Sequence, residues 1–338
     1  MENFGVADVD FDKFNKYLEI LDRTKVRRTS KAFRNFIDSQ PLFLNEISFY
    51  SGGIDRRIEI RSNSIKTHSI IYTDNEQNTY PIELGWESRL VDREDYQKCA
   101  MEHLKLIIKT PKIHSEFFDI ETYEFSSNNH SNLNDEIPNE SGLFDGLSSV
   151  IDPSAKLRIK SIHINSNVLE PIVKFLSHLK PGYLNMISLE LEYARGTGLS
   201  EMLELEQFKQ TKRFTVFEML FPGSIRDLLH LDSFFVDIDT FSAEDFRTLR
   251  EVVFKSSTFI HCGLRVKGQF EFDGIRRELD SLVPGTSENT FRHLIPNTDD
   301  CFEISINTSG ISVSRKKDYH EEDRRQMEMN NRFRRIQM

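Results

Sequence analysis

Between residues 157 and 266 the chain repeats itself: short apolar sets recur in which hydrophobic side chains stand three and then two positions apart. Ile159, Ile162 and Ile164 form the first set, and Leu184, Ile187 and Leu189 the next. Leu231, Phe234 and Val236 follow, then Phe259, Cys262 and Leu264, with a weaker copy in Phe214 and Val216. The last anchors, Ile164, Leu189, Val216, Val236 and Leu264, are separated by 25, 27, 20 and 28 residues. That period fits leucine-rich-type repeats, in which each unit is a strand followed by a helix. The intervening pieces carry helix signals. Asn167 with Glu170 has the form of a capping box ahead of Ile172, Phe175, Leu176 and Leu179, and Lys180-Pro181-Gly182 ends the run. Ser242 with Asp245 forms another box, and Phe241 and Phe246 occupy the positions of a hydrophobic staple. Strands joined by helical crossovers pair parallel. The expected class is therefore α/β: a short N-terminal helical segment followed by a leucine-rich-repeat-like βα solenoid with a mainly parallel sheet. A conventional open α/β sheet is the alternative.

The flanks read differently. Phe11, Phe14, Leu18 and Leu21 share one helical face, and a second helix over 26–37 holds Val26, Phe33, Phe36 and Ile37 before Pro41 stops it. So few residues cannot bury their own apolar stripe. They pack either on the rest of the chain, against residues 41–60, or on a partner. Ile58 and Ile60, Ile70 and Tyr72, and Ile82 and Leu84 suggest short strands, and a helix is expected from Tyr96 to Ile108. Residues 125–155, rich in Ser, Asn, Asp, Gly and Pro, read as a long exposed loop. Two more strands, Phe302 to Ile306 and Ile311 to Val313, flank Ser309-Gly310. The expected division is 1–40 for the helical segment, 41–314 for the repeat-type domain and 315–338 for a charged tail.

Chemistry is sparse. With 38% hydrophobic and 29% charged residues the chain can form a core, and a net charge of -10 disfavours a broad nucleic-acid surface. Cys99, Cys262 and Cys301 lack the short spacing of a zinc knuckle and read as buried thiols in a reducing compartment. The acidic N-terminus does not resemble a secretory leader, and no apolar run approaches the roughly 20 residues of a membrane span. The expected location is cytoplasmic or nuclear, not secreted and not membrane-bound. There is no GxxxxGK[ST] loop, no HExxH and no GxSxG elbow. His261 beside Cys262 on a strand would face the opposite side. The expectation is a non-enzyme with no cofactor and no metal-ligand set.

Strand alternation locates the candidate recognition surface. If Ile162, Leu189, Val216, Val236 and Leu264 point inward, then His163, Glu190, Phe217, Phe235, Asp237 and Arg265 point outward and are the candidate contacts for a protein partner. Phe217 and Phe235 read as the aromatic anchors of an interface; the alternatives are a helix covering them or a register shifted by one, which flips every assignment.

Several stretches resemble one family. Residues 22–38, DRTKVRRTSKAFRNFID, resemble the second half of an F-box in the form found in nematode F-box A proteins, which follow it with an FTH domain. Phe49-Tyr50-Ser51-Gly52-Gly53 is similar to that domain's "Y-x-G" opening, and Glu102 to Lys112 to its helix leading into "L-K-x-P-K". Lys180-Pro181-Gly182-Tyr183-Leu184 with Ile187 resembles "P-G-x-L-x-x-I", and residues 204–212, ELEQFKQTK, resemble "E-Q-W-K-x-A-K". The resemblance implies a substrate adaptor of an SCF-type ubiquitin ligase, whose F-box docks on a Skp adaptor, and through it a cullin scaffold, while the FTH-like domain binds an unidentified protein substrate. Phe14, Leu18, Leu21, Val26, Phe33 and Ile37 would then anchor the Skp contact. The usual Leu-Pro opening is absent, with Val6-Ala7-Asp8-Val9 in its place, and Thr24 and Thr29 stand at commonly apolar positions. Each Thr costs on the order of 1–3 kcal/mol of interface burial. The competing reading is a protein-interaction scaffold with a degenerate F-box and no ligase role.

Overall fold

The computed structural model describes residues 29–39, 41–52, 57–63, 67–73, 87–92, 96–110, 112–122, 140–153, 156–166, 168–191, 198–285, 287, 289–296 and 298–316. The chain divides into two compact units, residues 1–211 and 212–338. That division falls inside the stretch 41–314 expected to form one domain.

In the first unit α1 (Lys31–Ser39) ends just before Pro41, and β1 (Leu42–Gly52) begins at once. β2 (Arg57–Asn63), β3 (Thr67–Thr73) and β4 (Glu87–Asp92) extend the sheet on one side of β1. β5 (Ile113–Thr122), β6 (Arg158–Asn165) and β7 (Met186–Glu190) extend it on the other. The pairs β1–β5, β5–β6 and β6–β7 are parallel, as helical crossovers require. Those crossovers are α3 (Glu140–Val150) and α4 (Glu170–Ser177), preceded by α2 (Tyr96–Ile108), which leads into β5. The two crossover helices share the core below β5: the Phe175 ring lies 5.8 Å from Phe118 and 6.1 Å from Phe144. The unit closes with α5 (Gly198–Glu204) and α6 (Glu206–Lys209).

The second unit repeats the scheme with β8 (Arg213–Leu220), α7 (Ile225–Leu228), β9 (Ser233–Ile238), α8 (Ala243–Val253) and β10 (His261–Val266). β8, β9 and β10 pair parallel. After α9 (Phe272–Leu279) the chain turns antiparallel through β11 (Val283–Pro284), β12 (Thr290–Leu294), β13 (Cys301–Asn307) and β14 (Gly310–Lys316), the last pairing with β10. The molecule is thus mixed α/β, with parallel pairing from β5 to β7 in the first unit and from β8 to β10 in the second.

The repeat spacing has a structural cause. Leu184, Leu231 and Phe259 lie two residues ahead of β7, β9 and β10, where the chain enters the strand, and all three are buried. The next two anchors of each set then alternate within the strand onto the same buried face. In register, Ile164 stands opposite Leu189, and Val236 opposite Leu264.

Several expectations need correction. Residues 140–150, assigned to the exposed loop 125–155, form α3 and bury Leu143, Phe144 and Leu147. Leu143 and Leu147 lie one turn apart, a signal diluted by the surrounding Ser, Asp and Gly. Residues 123–139 lie outside the described residues. Asn167 is also outside them, and Glu170 opens α4 behind Leu169 with no side-chain cap, so it is not the third residue of a capping box. Ile82, Leu84 and the tail beyond 316 fall outside as well. The sequence patterns give no strand at β1, β4, β5, β11 or β12.

Candidate protein-interaction faces

The residues singled out by alternation separate into two groups, one per unit. In the second unit the strands bring Phe217, Phe235, Asp237 and Arg265 together. Thr215 pairs with Phe235, but the next registered pair is Leu220 with Asp237, so β8 carries three residues more than β9 in that interval. A bulge of this kind bends the strand and redirects its side chains. Glu218, within it, has φ 64, a left-handed value unusual for a residue with a Cβ. The bulge sets the Phe217 ring 5.1 Å from that of Phe235. Phe235 in turn lies over Gly263 on β10, where any Cβ would meet its ring at 2.5 Å. Both phenylalanines are half-buried on the sheet face opposite the buried Val216, Phe234 and Val236.

Beside the rings is a charged cluster. The Arg265 guanidinium donates to both oxygens of Asp237 at 2.6 Å, with Glu218 3.6 Å from Arg265 and Lys267 3.4 Å from Asp237. The Asp237 bond is the first cause holding Arg265 above its ordinary pKa. Asp237 is 1% exposed. Assigned to partner contact by alternation, it is instead the buried brace that holds Arg265, and the guanidinium is the group left half-exposed.

The first unit presents a polar row. Ser48, Asp119, His163 and Ser188 stand opposite one another across β1, β5, β6 and β7. His163 Nδ1 lies 3.1 Å from Ser188 Oγ, and Tyr50 Oη donates to Asp119 Oδ2 at 2.8 Å. Burial raises the Asp119 pKa above the usual carboxylate value. Glu121 and Glu46 add to that shift, and the Tyr50 bond and His163 oppose it. Glu190 stands opposite Asn165, the next outward position after His163. Sequence reasoning missed Tyr50, Asp119 and Glu121. The adjacent Phe117 and Phe118 blur the period-two pattern that would have revealed β5.

Of the expected Skp contacts, Phe14, Leu18, Leu21 and Val26 lie outside the described residues. Phe33 falls in α1, and Ile37 is 2% exposed within this chain. Cys262 is buried with its thiol pushed up to about 12 by burial, while His261 turns away to Ser314 Oγ at 2.9 Å, so the two do not form a reactive pair. No helix among the described residues is long and apolar enough to cross a membrane.

Comparison with known proteins adds two findings. Residues 141–276, from α3 into α9, match the FTH domain family. F-box A protein 224 of Caenorhabditis elegans is 21% identical over 251 residues, which cover 74% of this chain and 63% of that relative. The chain thus spans less than two thirds of the curated relative's length. No solved structure matches.

Proposed function

We propose that this protein is a non-catalytic substrate-recognition adaptor of an SCF-type ubiquitin ligase. Its N-terminal segment, through Phe14, Leu18, Leu21, Val26, Phe33 and Ile37, docks on a Skp adaptor and through it on a cullin scaffold, and its sheet faces bind a protein substrate. The similarity to an F-box A protein and the FTH match support a general adaptor or protein-interaction role. The observation that carries the substrate-binding half is the half-buried Phe217–Phe235 pair, seated by a strand bulge beside the braced Arg265. Aromatic and arginine side chains of this kind dominate the energy of protein interfaces. His163 and Glu190 offer a second, polar contact set in the first unit.

Two measurements test the halves separately. The full chain is expected to co-purify with a Skp adaptor, and no binding at micromolar concentration would remove the ligase role. Phe217→Asp is expected to weaken capture of the cellular substrate about 30-fold, as loss of a 2 kcal/mol hot spot would. Unchanged capture would remove Phe217 from the interface.

One observation favours the scaffold reading as the alternative. Ile37, an expected Skp anchor, is sealed inside this chain, and Lys112 Nζ donates to the Ser39 carbonyl at 2.8 Å, tying the end of α1 to the first unit. Deleting residues 1–28 discriminates: an adaptor loses Skp binding and keeps its substrate, whereas a scaffold keeps its whole partner set.

A further inference from the structure

The first unit gathers three metal-capable side chains, Asp119, Glu121 and His163, of which only His163 has a role above, as a polar contact. Asp119 and Glu121 are two apart on β5, so both project from the same face, and His163 is the register partner of Asp119 on β6. A donor atom from each lies within 4.8 Å of one from each of the others. Backbone pairing between adjacent strands therefore fixes all three Cα positions. Two further residues orient the set. Ser188 holds His163 through Nδ1, which leaves Nε2 for a cation, and Tyr50 holds Asp119 through Oδ2. Outer partners of this kind are what fix the ring and carboxylate orientations in metal sites.

A second, independent observation points to a ligand. Asp119 is 6% exposed, and its Oδ1 has no hydrogen-bond partner among the described residues. A carboxylate oxygen withdrawn from water normally finds a donor or a metal. Glu121 and Glu46 repel the Asp119 carboxylate, so bringing a cation to this point relieves that repulsion as well as desolvation.

We propose that Asp119, Glu121 and His163 bind one zinc-class divalent cation. One imidazole nitrogen with two carboxylates suits zinc or manganese, whereas calcium and magnesium prefer oxygen donors alone. Donors around one such ion stand roughly 3–3.5 Å apart, so a pair at the 4.8 Å limit closes by roughly 1.3–1.8 Å on binding. Glu121, with one methylene more than Asp119, can supply most of that movement. Three protein ligands leave a coordination position for water or for a side chain of a bound partner.

The test is direct titration of the chelator-stripped full-length protein with Zn²⁺ alone, followed by calorimetry and by the melting temperature. The expected result is one saturable site, a rise in melting temperature on addition of Zn²⁺, and no displacement by millimolar Mg²⁺. His163→Gln and Glu121→Gln, both at half-buried positions, should keep the circular dichroism of the parent and bind at least 10-fold more weakly. Tyr50→Phe should weaken binding while leaving the stoichiometry at one. Absence of saturable uptake by the parent, or uptake and thermal shift unaltered in His163→Gln, would overturn the assignment. Binding tests for Skp and substrate are separate measurements, so failure of one proposal leaves the other standing.

Discussion

Asp237 shows how a residue can hold an outward strand position and still be buried. Its carboxylate is buried and gives both oxygens to Arg265, so it positions the guanidinium that a partner would meet. Asp237→Ala is expected to destabilise the fold by about 2 kcal/mol, the scale of a lost hydrogen bond to a charged group, read as a shift in the urea midpoint. Arg265→Ala should cost less, because Arg265 is half-exposed and Lys267 still faces Asp237. The reverse order would show that Asp237 is not the brace. Cys262 gives a second check at this scale. A buried thiol with its pKa near 12 should resist a thiol reagent in the native protein and react once the chain unfolds.

Among the elements, the boundaries that sequence made legible were those with a local chemical cause. Ser242 caps α8 as expected: its hydroxyl accepts from the Asp245 amide, while the Asp245 carboxylate accepts from the Ser242 amide at 2.9 Å. Phe241 and Phe246 are buried at the staple positions. Ser242→Ala should therefore cost about 1 kcal/mol, measured by chemical denaturation. Two of the segments that resemble the family, around Gly182 and Gln207, are joints in the fold. Gly182 has φ 72, a left-handed value that favours glycine, and the buried Gln207 donates to the carbonyls of Ser177 and Leu179 at 2.9 and 2.8 Å. What sequence could not supply was long-range. Nothing in the spacing of Phe117, Phe118 and Asp119 says that β5 lies between β1 and β6, and the metal-capable set exists only through that pairing. The β8 bulge was equally hidden, since alternation holds up to Phe217 and fails only when the strand meets its neighbour.

Over the whole molecule, histidine burial sets an acid limit. His103, His114, His178, His261 and His293 are all held below the ordinary imidazole value, with burial the first cause in each. A folded-state value below the unfolded one means that the unfolded chain takes up protons first as pH falls. This contribution is intact above about pH 6.5 and is lost progressively below it, as pH drops toward the folded-state values. Asp119, shifted upward, works in the opposite sense nearer the carboxylate range. The melting temperature is expected to be lower at pH 5.5 than at pH 7.5, and an equal or higher value would show that these imidazoles stay solvated.

The surplus residues of β8 carry one more consequence. They lie between two registered pairs that anchor the strand on either side, and of the four only Val216 is buried in the core, so the ladder to β9 does not depend on the identity of Phe217, Glu218 or Met219. From Phe217 to Met219 the strand is therefore an interchangeable cassette, whose side chains can be rewritten while the scaffold beneath is inherited unchanged.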